Sequence, residues 1–192
     1  MVKSIHNMAR TPSNMLALGT KAFDFSLYSP LDNKMYDLQS LRGDKGTVIF
    51  FICNHCPFVI HVLEELVKLS NDYQSQGINF IAINSNDIVN YPDDSPEKMV
   101  TLIEEYKIPF PYLFDETQEV AKIYDAACTP DNYLFDSELN LVYRGQLDHS
   151  RPGNGIPVTG EDIRYAMDCL LKDVGNDKLQ KPSLGCNIKW KN

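Results

Sequence analysis

The chain has no apolar run long enough to cross a bilayer. Its start, Met1-Val2-Lys3-Ser4-Ile5-His6-Asn7, lacks the apolar core of a signal peptide, so the expectation is a cytoplasmic protein with no membrane partner. Basic residues are scarce. The 18 Lys and Arg face 26 Asp and Glu, and a formal charge of −8 leaves no basic face for a phosphate backbone, which excludes a nucleic-acid partner. There is also no internal repeat, low-complexity stretch or linker. At 192 residues with 43% hydrophobic content, that predicts one domain spanning 1–192 with a substantial core. Five cysteines are odd in number, so at least one stays unpaired within a monomer. In a reducing compartment this suits reactive or buried thiols better than a disulfide framework.

The most informative segment is Cys53-Asn54-His55-Cys56-Pro57, behind the apolar run Val48–Ile52 and ahead of a helical pattern. Two thiols two residues apart can close a small ring. A strand-to-helix junction sets them at a helix N-terminus, where unpaired N–H groups and the helix dipole favour a thiolate. A thiolate beside a second thiol is the basic apparatus of disulfide exchange. Cys53 is expected to be the exposed sulfur and Cys56 the deeper one, because Cys56 and Pro57 fall in the first helical turn. His55, as an imidazolium between them, would stabilise a thiolate. No second Cys-x-x-Cys or His-x-x-x-His completes a zinc site, so the expectation is no metal and no cofactor beyond a redox-active Cys53–Cys56 disulfide.

Periodicity supplies the frame. Residues 1–20 read as an arm, 22–27 and 47–52 as strands, and Val59, Val62, Leu63, Leu66, Leu69 and Tyr73 as a helix with Glu64, Glu65 and Lys68 on its other face. Gly77 ends it, and Ile78–Ile83 is the next strand. Ser95-Pro96 opens a helix through about Tyr106, Tyr112–Phe114 is a short strand, and Gln118–Tyr124 a short helix. Residues 132–136 and 140–145 pair across a turn at Ser137-Glu138. Thr159 with Asp162 reads as a capping box for a last helix that Gly175 stops, and residues 176–192 are a tail. A βαβ crossover followed by a ββα unit gives an α/β fold, a central mixed sheet flanked by helices, which is the thioredoxin layout.

The remaining candidates fit around that frame. Thr129-Pro130 precedes a strand where this layout puts a cis-proline facing the two thiols, although most X–Pro bonds are trans; Thr129, Pro130 and Pro57 would line a substrate groove. Cys128 is either a small buried hydrophobe or a further relay thiol. Cys169 reads as core packing. Cys186, after Gly185 in a polar tail that can move, is either a resolving thiol or structural. Arg144 either approaches the helix N-terminus or serves the surface. His61 is expected to pair with Glu64 and Glu65, His149 to be a surface residue, and Asp93 and Asp94 to be loop and cap residues.

With those residues in place, the chain resembles the thioredoxin-like superfamily. More closely it resembles a peroxiredoxin-like branch of the alkyl hydroperoxide reductase and thiol-specific antioxidant (AhpC/TSA) family. The matching segments are Phe23-Asp24-Phe25-Ser26-Leu27, Leu38 to Gly43, Asp115 to Ala121, Thr129 to Asp136 and Gly185-Cys186-Asn187-Ile188-Lys189-Trp190. The resemblance implies a thioredoxin fold with an N-terminal β extension and a C-terminal tail. It also implies a thiol–disulfide oxidoreductase acting on protein or small-molecule disulfides and thiols, with a reducing partner such as a thioredoxin-type system. In the alternative it implies a thiol peroxidase. Departures bear on the choice. Against the peroxiredoxin pattern Pro-x-x-x-Thr-x-x-Cys, Cys56 takes the last place, Cys53 stands where the threonine belongs and Ile49 where the proline belongs. Against thioredoxins, Ile52 replaces the tryptophan and Thr47 the buried aspartate. A more remote alternative is copper or metal handling through Cys53, Cys56 and a distant histidine such as His149.

Overall fold

The computed structural model describes residues 10–191. In chain order these form β1 (Thr11–Pro12), β2 (Ser26–Ser29), β3 (Lys34–Asp37), α1 (Leu38–Leu41), β4 (Gly46–Phe51), α2 (Pro57–Tyr73), β5 (Ile78–Asn84), α3 (Pro96–Tyr106), β6 (Tyr112–Phe114), α4 (Glu119–Ile123), β7 (Cys128–Thr129), β8 (Asp131–Asp136), β9 (Leu141–Arg144), α5 (Glu161–Leu171) and β10 (Leu184–Asn187). Seven strands make one sheet in the order β3-β2-β6-β5-β4-β8-β9, and β1, β10 and β7 make a second. β4, β5 and β6 run parallel, while β8 and β9 return antiparallel, as the element order predicts.

β4 shows why the sheet is central. Val48 and Phe50, with Ile52 just beyond the strand, face a core shared with Val59, Leu63 and Leu66 of α2 and Met167 of α5. Ile49 and Phe51 face the opposite core, with Leu38, Ala121 and Tyr124. A strand apolar at every position is what burial on both faces demands. Gly77 ends the α2 segment as expected, at φ 89°, after one 3-10 turn.

Several expectations are corrected. The strand expected over 22–27 runs instead over Ser26–Ser29, because the turn after Ser29, with Asn33 at φ 58°, folds β3 back onto that stretch as β2. Glu65 is buried rather than solvated, since Arg164 on α5 reaches it at 2.6 Å. The last helix has no Thr159 capping box. Its N-cap is Gly160, and the Asp148 carboxylate accepts the Thr159 and Gly160 N–H groups at 2.7 Å each. That helix ends at Leu171, with Asp173 at φ 55°, before Gly175 is reached. The arm and tail contain strands: β10 is paired on one edge by β1 and on the other by β7. Residues 1–9 of the arm lie outside the described residues.

Candidate active site

The continuous apolar strand β4 delivers Cys53 to the end of the sheet, and Pro57 starts α2 at its first position. Proline suits that position because its missing N–H would be unpaired there in any case. Cys56 is therefore the N-cap, and the N–H groups of Val59 and Ile60 bond to its carbonyl at 2.9 and 3.0 Å. Both sulfur-bearing residues are only 1% exposed, which corrects the expectation of an exposed Cys53. The reason is the chain reversal at Asn54-His55: it turns these two residues outward and leaves both thiols under the loop that carries Thr129 and Pro130.

The Thr129–Pro130 bond is cis. Thr129 Oγ1 lies 3.3 Å from Cys53 Sγ, and the Thr129 carbonyl oxygen 3.3 Å from Cys56 Sγ, where the thiol form donates to it. The tail supplies a third sulfur: Cys186 Sγ is 2.8 Å from Cys56 Sγ. β10 pairs with β7 so that Cys186 stands opposite Thr129, and a side chain at Gly185 would collide with the Thr129 carbonyl. No cysteine is in a disulfide.

Electrostatics separates the two thiols of the pair. Hydrogen bonds from Cys186 and then from Cys53 push the Cys56 thiol strongly down, and the Val59 N–H at the helix end adds to this. The Cys53 thiol is pushed up by its bond to Cys56, by burial and by the charge of Asp94. Within the pair Cys56 thus carries the lowered pKa and Cys53 the raised one.

Asp94 organises the loop between the thiols. It is fully buried in a 3-10 turn over Pro92–Asp94, and its Oδ1 accepts the Asn54 N–H at 2.8 Å and pairs with His55 Nδ1 at 2.9 Å. Its Oδ2 accepts from Asn86 Nδ2 at 2.7 Å, and Asn54 Oδ1 accepts from the Tyr112 hydroxyl at 2.9 Å. His55, stacked on Tyr91, has its pKa raised chiefly by the bond to Asp94. The donor atoms of Cys53, His55 and Asp94 lie within 4.8 Å of one another, and those of His55 and Asp94 are spent on their own ion pair. Reading Asp94 as a loop residue missed this role. The available signal was its place just beyond the carboxyl end of β5, where α/β sheets hold their sites.

The other candidates make their own contacts. Arg144 bonds through Nε to the Leu16 carbonyl and through Nη1 to Gln180, so it braces arm and tail rather than a thiolate. Cys128 is fully buried and points at the Pro130 carbonyl, 3.6 Å away, and Cys169 is buried on α5. His61 contacts Ser150 Oγ at 2.7 Å instead of Glu64 or Glu65, Glu65 being taken by Arg164. His149 is a surface residue between Glu161 and Lys181, its donor atom within 4.8 Å of those of Glu161 and Asp162.

A mixed sheet whose first parallel strand ends in paired thiols under a cis-proline loop defines a thioredoxin-fold dithiol protein. Residues 18–144 match the AhpC/TSA family, and the chain belongs to that family. An uncharacterized conserved protein from Geobacillus kaustophilus is 59% identical, with a TM-score of 0.94 over 96% of this chain and 98% of that one. Thiol-disulfide oxidoreductase ResA of Halalkalibacterium halodurans is 27% identical over 125 residues, 65% of each chain, so the match spans less than two thirds of that relative. A thiol:disulfide interchange protein of the thioredoxin family from Chlorobium tepidum TLS, 18% identical, shares the fold with a TM-score of 0.61 over 81% of this chain and 98% of that one.

Proposed function

We propose that the protein is a thiol–disulfide oxidoreductase whose exchanging pair is Cys53 and Cys56, with that disulfide as its redox group and no further cofactor. The observation that carries this is the placement of Cys53 and Cys56 at the N-terminus of α2, each sulfur 3.3 Å from Thr129 beside the cis Pro130; the lowered pKa of Cys56 makes it the attacking sulfur. The Cys56 thiolate attacks one sulfur of a substrate disulfide and expels the other as a thiolate. Cys53 then loses its proton and attacks Cys56 Sγ, releasing the second substrate thiol and leaving the Cys53–Cys56 disulfide. Pro130 and Thr129 shape the approach, and His55 offsets the charge on Cys56. Protein or small-molecule disulfides are the substrates, and a thioredoxin-type reductant restores the thiols. The odd count of five cysteines is the basis for a reducing, cytoplasmic setting.

The test is a pair of variants assayed with a disulfide substrate. Cys56→Ser is expected to lower turnover at least 100-fold, while the double variant Cys53→Ser/Cys186→Ser, which lacks both neighbouring thiols, forms a stable mixed disulfide at Cys56. Wild-type turnover in Cys56→Ser would refute the assignment.

One observation favours a second reading, a thiol peroxidase. Cys56 is buried and has Cys186 beside it to condense with a sulfenic acid. Against it stand Cys53 in the place of a hydroxyl and Arg144 turned away. Reaction of the reduced protein with hydrogen peroxide no faster than that of a free thiol would end this reading.

A further inference from the structure

We propose that Cys186 is the third thiol of an internal relay: the disulfide formed between Cys53 and Cys56 moves to Cys56–Cys186, and an external thiol reductant reaches it there. This rests on the Cys53–Cys56 reading and adds to it the path by which the pair is reduced.

Three observations carry the inference. The first is the 2.8 Å approach of Cys186 Sγ to Cys56 Sγ. The second is that this seat is built by the fold. Gly185 allows β10 to lie against the Thr129 carbonyl, Ile188 is buried and bonds through its N–H to the Ala127 carbonyl, and the Lys189 N–H bonds to Asn86 Oδ1 at 2.8 Å. Gln118 clamps the same segment, donating to the Lys189 carbonyl and accepting from the Lys191 N–H, both at 2.8 Å. The third is exposure: Cys53 and Cys56 are buried, whereas Cys186 is partly exposed. The edge of β7, to which an extended peptide would otherwise add as a strand, is already occupied by β10. Cys186 therefore offers a thiol reductant a more open sulfur than Cys56.

The chemistry balances. In the oxidised protein the Cys186 thiol loses its proton and attacks Cys56 Sγ. The Cys56–Cys186 bond forms, the Cys53–Cys56 bond breaks, and Cys53 takes up the proton, with no net oxidation. A reductant thiolate then attacks Cys186 Sγ and expels the Cys56 thiolate, which its stabilised charge makes a good leaving group. A second reductant thiol attacks the mixed disulfide, leaving as the oxidised reductant and restoring the Cys186 thiol. Timing follows from the same contact. In the reduced protein Cys186 is held protonated chiefly by its bond to Cys56, and that restraint vanishes once Cys56 is in a disulfide.

The experiment uses the full-length protein, oxidised with one equivalent of dipyridyl disulfide and mapped by non-reducing peptide mass spectrometry, then reduced by glutathione. Wild type is expected to yield both Cys53–Cys56 and Cys56–Cys186 linkages, and Cys53→Ser only Cys56–Cys186. Cys186→Ser is expected to form Cys53–Cys56 but to be reduced at least tenfold more slowly. Reduction of Cys186→Ser at the wild-type rate, or no Cys56–Cys186 linkage in Cys53→Ser, overturns the relay and leaves the dithiol reading intact. A wild-type protein that forms no Cys53–Cys56 linkage overturns the dithiol reading itself, a result distinct from either of those.

Discussion

Two buried carboxylates near the thiols behave differently, and each makes a prediction at the scale of a single residue. Asp94 is satisfied by the Asn54 N–H, His55 and Asn86, and its charge holds the His55 imidazolium. Asp94→Asn is expected to lower the His55 pKa toward its ordinary value near 6.5, read from the imidazole resonances in a pH titration by NMR. Loss of the charge-assisted bonds should cost about 1.5–3 kcal/mol in denaturant unfolding. An unmoved His55 titration would contradict the role. Asp131 is the opposite case: burial pushes its pKa up to about 7, and its Oδ1 has no partner. Below about pH 3 it is protonated folded or unfolded and costs nothing. Between there and pH 7 the unfolded chain ionises it more readily than the folded one, so stability is lost as pH rises. Asp131→Asn should therefore be more stable than wild type at pH 8, by up to about 4 kcal/mol, with the gap narrowing to about 1 kcal/mol at pH 4.5. Urea unfolding at the two pH values decides it; an equal difference at both would discard it. The thiols were legible in the sequence because four adjacent letters define them. Asp94 was not, because its partners lie as far as 40 positions away along the chain.

At the scale of elements, legibility followed the locality of the signal. β4, β5 and α2 carry their own periodicity, and the structure places them within a residue or two of the sequence expectation. β1, β7 and β10 do not: β1 and β7 are two residues long, β10 is four, and all three are strands only because they find one another across the chain. A glycine was the local trace of that pairing. Substituting Ala at Gly185 would drive a Cβ into the Thr129 carbonyl, a backbone atom that cannot swing aside. Gly185→Ala is expected to cost about 1–3 kcal/mol through overpacking and to lift β10 from β7. Native-state alkylation should then label Cys186 many times faster than in wild type. Unchanged labelling would mean that β10 keeps its place by other contacts.

Across the whole molecule, the charge on Cys56 couples redox state to folding. The folded pKa of Cys56 lies far below the value near 8.5 of an unfolded cysteine. For a group lowered by folding, the stabilisation is fully present above the unfolded pKa and fades as pH falls toward the folded one. The reduced protein should thus gain stability steadily from about pH 5 to about pH 8.5. The Cys53–Cys56 form has no such thiolate, and a cross-link between residues three apart removes little unfolded-state freedom. The reduced form should accordingly be the more stable, by a margin that widens with pH over that window, and the disulfide should be correspondingly oxidising. Thermal unfolding of both forms at pH 5, 7 and 8.5 measures the margin. A constant margin would mean that Cys56 titrates alike in folded and unfolded chains, and the thiolate on which the exchange chemistry depends would have to be sought at another sulfur.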